Sequence, residues 1–136
     1  MTTLWLVAMT KYYAGSQRIA VRVGNTASGT TALTWLLSDH LGSTTKVIRA
    51  SDYATISETR YKPFGQPRYV NGVSPTKRGY TGQVDEPDLG IVFFQSRFYD
   101  PALGHFIQPD SIIPPNQGVQ GFDRFAYCGN DPIQWT

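Results

Sequence analysis

The chain has a single cysteine, Cys128, among its 136 residues. A lone thiol has no internal disulfide partner, and no Cys-x-x-Cys or His/Cys grouping supplies the ligand set of a zinc site. Cys128 therefore reads as a small buried hydrophobe rather than a nucleophile. Charge is also scarce, at 16% of residues where a globular chain carries about a quarter. So low a fraction excludes a tail held open by self-repulsion. The 12 Lys and Arg barely outnumber the 10 Asp and Glu, and no basic run is longer than Lys77-Arg78. There is thus no stripe that tracks phosphates, which argues against a nucleic-acid partner, and no basic amphipathic helix for a membrane surface. Long apolar runs are missing as well. "MTTLWLVAM" at 1–9 lacks a basic leader and a small-residue cleavage site, and it is too short to span a bilayer. It reads as a strand cut off from an upstream partner. Helical periodicity is the last absence, because Gly or Pro interrupts most windows long enough for several turns.

What the chain has instead is 13 Gly, 9 Pro, 8 Tyr and an aromatic content of 13%. That mixture favours many short strands joined by tight turns. "QRIAVRV" (17–23) alternates, with Ile19, Val21 and Val23 on one face and Arg18, Ala20 and Arg22 on the other. "TALTWLL" (31–37) is apolar enough to be buried on both faces. "TKVIRAS" (45–51) and "ISETRYK" (56–62) pair across "SDYAT", and "PRYVN" (67–71) and "IVFFQSRFY" (91–99) complete the strands. The connectors "VGNTASGT" (23–30), "PFGQP" (63–67) and "EPDLG" (86–90) carry Gly and Pro in turn positions. This pattern predicts an all-β antiparallel hairpin meander. From Asp110 onward the alternation fades, and Pro114-Pro115 forbids a strand interior. Only "GFDRFAY" (121–127) predicts one or two helical turns, so this last part reads as an irregular strip packed beside the sheet.

Two segments echo each other. "RYKPFGQPRY" (60–69) and "RFYDPALGHF" (97–106) both run Arg-aromatic, Pro, Gly, aromatic, and "DHLGST" (39–44) sits at a comparable turn. Repetition of this kind marks units that bury their faces against one another.

Taken in order, "YYAGSQRIAVRV", "LSDHLGST", "TRYKPFG", "GYTGQVDEPDLGIVFFQSRFYDPALGHFIQPDSI" and "GFDRFAYCGNDP" resemble the RHS-repeat-associated core domain. That module occurs in tyrosine-aspartate (YD) repeat proteins: bacterial polymorphic toxins, insecticidal toxin-complex subunits and, more distantly, teneurins. The resemblance covers residues 12–136. It implies a piece of a spiral β-shell, whose core closes one end of a cage around a variable C-terminal toxin or effector segment. The implied divisions are a truncated first strand (1–11), a YD-repeat β-sheet core (12–110) and an irregular C-terminal cap with short helical turns (111–136). The implied motif residues are Asp39, His40, Gly42, Tyr61, Phe64, Gly65, Arg97, Tyr99, Asp100, Pro101, Gly104, Phe106, Pro109, Tyr127, Asn130 and Pro132. The implied partners are upstream YD repeats, a downstream toxin segment of the parent protein and, indirectly, a cognate immunity protein. The implied setting is secreted or cell-surface, as part of a larger toxin. Neither a cofactor nor a metal is implied.

In some members the core is an aspartyl autoprotease in which two Asp-Pro-x-Gly motifs each supply a carboxylate. Two carboxylates sharing one proton provide a base to activate water and an acid to protonate the carbonyl oxygen. The first maps onto Asp110, but the motif here reads Asp110-Ser111-Ile112-Ile113, without its Pro and Gly. The second would begin where the chain ends, and Asp131 occupies a position where the family carries Asn. A structural module without catalysis of its own is therefore the expectation, and an autoprotease requires a second Asp beyond Thr136. His105 stands where the family has Arg, which weakens the catalytic reading further. Asp39 and His40 read as turn-shaping residues, since no Ser or Cys is placed to act as their nucleophile. Asp100 is expected to cap a helical turn at "PALG", and Arg97 to stack or pair nearby. Asp85, Glu86 and Asp88 read as a solvated acidic turn, their spacing being wrong for a calcium loop. A third reading is a carbohydrate-binding or adhesion surface, with Trp35, Tyr61, Tyr69 and Tyr80 as stacking platforms, set against cross-strand packing of the same rings.

Overall fold

In a computed structural model, residues 9–24, 33–113, 115 and 118–134 are described. The strands are β1 (Met9–Ala14), β2 (Gln17–Val23), β3 (Leu33–Ser38), β4 (Thr44–Arg49), β5 (Thr55–Tyr61), β6 (Pro67–Gly72), β7 (Val84–Glu86), β8 (Ile91–Phe94), β9 (Arg97–Asp100) and β10 (His105–Phe106). All pairings are antiparallel. They form a six-stranded sheet in the order β1-β2-β3-β4-β5-β6 and a four-stranded sheet in the order β10-β9-β8-β7. Single 3₁₀ turns at Tyr80–Gly82, Gly118–Phe122 and Cys128–Asn130 are the helical elements among the described residues. The all-β expectation holds.

Cross-strand register explains the first sheet. Val21 opposes Thr34, Leu36 opposes Val47 and Val47 opposes Ser57, so short-branched side chains line one face. Val21, Leu36 and Val47 form its buried cluster, flanked by Val23 and Ile56. On the other face Ala20 lies in register between Tyr12 and Trp35 and is buried beneath them. Trp35 and Leu37 are exposed, so β3 alternates and is not buried on both faces as its apolar run suggested. One face of this sheet is solvated, which an antiparallel meander tolerates. Residues 25–30 of the connector read over 23–30, residues 31–32 of the strand read over 31–37, and residues 1–8 of the apolar run at 1–9 lie outside the described residues.

In the second sheet, the stretch read as one strand over 91–99 is a hairpin. β8 and β9 pair through Phe93–Phe98 and Phe94–Arg97, and the chain reverses at Gln95-Ser96. Gln95 takes a φ of 60°, and neither residue is the Asn or Gly that advertises such a reversal. β7 and β10 are too short to show a period. In the C-terminal strip, the 3₁₀ turn at Gly118–Phe122 overlaps only the start of the helical turns expected over 121–127. Beyond it the backbone runs irregularly, and Ala126 bridges His105 at the edge of β10. The bond from Phe106 N–H to the Phe125 carbonyl explains the change, because that strip closes a sheet edge instead of coiling.

Candidate functional site

The turns that echo each other in sequence meet in space. One is the β5–β6 turn over 62–66, closed by bonds from Lys62 N–H to Gln66 and from Gly65 N–H to Lys62. The other follows β9, where the Asp100 carboxylate accepts the N–H groups of Ala102 at 2.8 Å and Leu103 at 3.3 Å. Pro101 starts that turn with its φ already set. Tyr99 O–H donates to the Phe64 carbonyl at 2.7 Å, and Tyr80 O–H donates to the Pro63 carbonyl at 2.7 Å. Two tyrosines from the second half of the chain thus satisfy adjacent carbonyls of one hairpin turn in the first.

Glycine is required where the turns touch. A β-carbon on Gly65 would lie 2.5 Å from the Tyr80 ring, and Gly65 also has a φ of +89°. Gly104, at φ +70°, is held 3.0 Å from the Phe64 ring by the same measure. No L-residue meets both demands at Gly65 without moving Tyr80.

Around this contact Tyr80, Val92, Tyr99, Phe106 and Tyr127 are buried together, with Tyr61, Phe64, Phe94 and Cys128 packed against them. Ring centroids lie 4.6 Å apart for Tyr99–Tyr127 and 5.5 Å apart for Phe94–Phe106, the latter nearly perpendicular. Edge-to-face contacts of this kind add about 0.5–1.5 kcal/mol each beyond area burial. Burial pushes the Tyr61, Tyr99 and Tyr127 hydroxyls far above the usual phenol range, and raises Tyr80 and the Cys128 thiol as well. Groups shifted in that direction stay protonated at neutral pH and are poor nucleophiles and bases. The chemistry here is packing.

Asp110 is held elsewhere on the second sheet. Arg97 lies over the Phe106 ring at 3.7 Å from the centroid and pairs with the Asp110 carboxylate at 3.2 Å. The main chain joins in: Asp110 N–H donates to the Arg124 carbonyl and Arg124 Nε donates to the Asp110 carbonyl, both at 2.7 Å. Asp131 instead accepts a local bond from Gln134 N–H. His105 is exposed on β10, Pro109 is exposed, and Pro132 is buried. Asn130 lines a 290 Å³ cavity together with Phe64, Pro101, Gly104 and His105.

Asp39, His40 and Gly42 sit apart from that core in the β3–β4 turn. The Asp39 carboxylate accepts Leu41 N–H and Ser43 N–H, each at 2.9 Å, while His40 is exposed. This turn is also a fastening. Ser43, fully buried, accepts Thr81 N–H at its Oγ, and Thr44 N–H donates to the Gly79 carbonyl.

For Tyr80 and Tyr61 the sequence sets a stacking platform against cross-strand packing and favours packing. Tyr80 is 1% exposed and Tyr61 is half-buried against it, so neither ring is offered to a sugar. Tyr69 is exposed but carries Arg60 over its face at 5.3 Å. Asp85 and Glu86 belong to β7 and not to a turn. Glu86 pairs with Lys77, whereas Asp85 lies against Gly79 and Tyr61, and burial pushes it up to about 6. Among the described residues no group of three potential metal ligands occurs. The local sequence pattern does not mark Tyr80, Phe94 or Ser43 as core residues, although Tyr80 and Ser43 are buried and Phe94 packs on the aromatic cluster. The Gly79-Tyr80 pair was the available signal, since a glycine beside an aromatic marks close approach.

A pair of hairpin turns locked by tyrosines, between two antiparallel sheets, defines an architectural module. Residues 33–133 match the family model described as Teneurin YD-shell, and the chain belongs to that family. Salivary gland surface protein 1 of Aedes aegypti is 32% identical over 101 residues, covering 72% of this chain and 3% of that protein. Among solved structures, the TcdB2-TccC3 crystal structure has a TM-score of 0.69 at 18% identity, covering 92% of this chain and 6% of that one. The Tc holotoxin pore of Photorhabdus luminescens has a TM-score of 0.71 at 18% identity, covering 94% of this chain and 6% of that one. These likenesses are of fold, and the chain spans only a few per cent of each relative's length. No described helix is long and apolar enough to cross a membrane.

Proposed function

We propose that this chain is the core or cap portion of a YD-shell that encloses a C-terminal toxin or effector segment. Its partners are upstream YD repeats and the downstream segment of one parent protein, acting outside the cell or at its surface. The observation that carries this reading is the contrast between the two sheets' edges. The four-stranded sheet is closed on both sides by its own chain: Val84 of β7 bridges Arg78, and His105 of β10 bridges Ala126. The six-stranded sheet ends on β1 and β6, both exposed along their length, with no strand beyond either among the described residues. Open edges suit continuation of a sheet, and closed edges suit its termination. The buried, proton-retaining tyrosines and the salt-bridged Asp110 favour a structural role over catalysis.

Limited proteolysis of the parent protein tests this reading. The segment following this region is expected to resist protease in the intact parent and to become sensitive once Gly65→Arg forces the two turns apart. Equal sensitivity in both proteins removes the enclosure idea. Cleavage of the parent that Asp110→Asn abolishes supports the autoprotease instead.

A further inference from the structure

Asn71-Gly72, the last two residues of β6, is the one Asn-Gly pair in the sequence. An asparagine amide is labile when the backbone nitrogen that follows it is free to attack, and a following glycine leaves that nitrogen uncrowded. β6 is an edge strand, and both residues are exposed. The Asn71 side chain has no hydrogen-bond partner among the described residues, and Glu58, opposite it in register, is taken by Arg60.

The ladder decides where the Gly72 nitrogen points. A β-carbon on Gly72 would run into the Ile56 carbonyl oxygen, so that oxygen faces β6. Backbone groups alternate sides along a strand. Ser57 therefore turns toward β4, where it opposes Val47, and Glu58 shares ladder bonds with Asn71. The Asn71 carbonyl thus points into the sheet. The Gly72 N–H, trans to it, points out from the open edge, with no strand beyond it among the described residues. Asn130 is the internal contrast. The nitrogen that follows it, that of Asp131, donates to the Cys128 carbonyl at 3.0 Å.

We propose that Asn71 is a site of spontaneous deamidation, which the fold leaves open here and closes at Asn130. A base such as hydroxide takes the Gly72 amide proton, and the nitrogen attacks the carbonyl carbon of the Asn71 side chain. The new C–N bond closes a succinimide ring while the C–NH2 bond breaks, and ammonia leaves with a proton returned by the conjugate acid. Water then opens the ring at either carbonyl, giving aspartate or isoaspartate. Nothing is oxidised or reduced. Either product puts a carboxylate opposite Glu58, and like charges in that relation destabilise a strand pair. Isoaspartate also adds a carbon to the backbone of the edge strand. Where a further strand pairs with β6, as the proposed shell requires, the Gly72 N–H would be bonded and the site silent. That corollary alone rests on the shell reading.

Peptide mapping by mass spectrometry tests the site, on dilute full chain held at mildly alkaline pH either folded or in urea. Folded Asn71 is expected to convert within about tenfold of its rate in urea, and folded Asn130 to be slowed more, because the Asp131 bond must open first. Asn71→Gln, which would need a larger ring, is expected to abolish conversion at this position with thermal unfolding unchanged. Asn71→Asp is expected to lower the thermal midpoint by about 2–4 °C, and by less in a Glu58→Gln background. Slowing of folded Asn71 beyond tenfold, or as great as that of Asn130, overturns the proposal. So does a mass shift that persists in the Asn71→Gln protein. An Asn71→Asp protein as stable as the wild type overturns the destabilising effect. Conversion in the parent protein as fast as in the isolated chain counts against the continued sheet and leaves the site standing.

Discussion

Gly65 shows how little room the junction leaves for chemical change. Its φ of +89° disfavours any side chain, and a β-carbon there would meet the Tyr80 ring at 2.5 Å. Gly15 also has a positive φ, +63°, but its β-carbon would meet nothing within 4 Å. The comparison separates backbone strain from overpacking. Gly15→Ala is expected to cost about 1 kcal/mol, and Gly65→Ala about 3 kcal/mol, in urea denaturation. Equal losses would mean that Tyr80 yields freely and that the contact holds nothing in place. Asp85 makes a second residue-scale case. Desolvation raises it from 3.8 to about 6, so the folded state holds its proton more tightly than the unfolded chain. Its contribution to stability is complete below 3.8 and disappears as pH climbs through about 6. Urea midpoints are expected to fall across that window in the wild type, and the Asp85→Asn protein is expected to lose the slope. A rise in stability over the same window would contradict the burial of this carboxylate.

At the level of elements, strands with alternating side chains and Gly or Pro borders were legible. The β4–β5 hairpin is one example, with its "SDYAT" connector and the Arg49–Asp52 pair closing it. β8–β9 was not legible, because Gln95-Ser96 carries no turn signature and the flanking Phe and Tyr read as one continuous strand. Here tertiary packing of Phe94 and Tyr99 against Tyr127 imposes a reversal that local propensity does not request. A residue at positive φ without a helpful side chain leaves stability unused. Gln95→Gly is therefore expected to raise stability by about 0.5–1 kcal/mol, read from the thermal midpoint. A fall would show that the Gln95 side chain contributes more than the backbone strain costs. Of the candidate site, the echoing turns were visible in the sequence, as was the Asp100 position. What fastens them was not, since the Tyr80–Pro63 and Tyr99–Phe64 bonds join residues far apart in the chain, and spacing does not encode such contacts.

At the level of the whole molecule, the open edges of the six-stranded sheet carry the clearest physical consequence. β6 exposes Tyr69 and Val70 beside an unpaired row of backbone groups, and β1 exposes Met9, Tyr12 and Tyr13. The isolated chain is expected to self-associate in static light scattering, and Val70→Lys to suppress this by placing charge on the edge. Monodisperse wild-type protein at high concentration would mean that the edges are already protected. The aromatic junction, finally, gives the molecule an optical signature. Its interior holds Tyr61, Tyr80, Tyr99 and Tyr127 at fixed mutual angles, while Trp35 stands on the far sheet and is partly solvated. Near-ultraviolet circular dichroism in the tyrosine band should therefore report whether the two sheets are docked. With Trp5 and Trp135 replaced by Phe, the fluorescence of Trp35 should follow the exposed face of the first sheet, so one sample yields two separate clocks for its assembly.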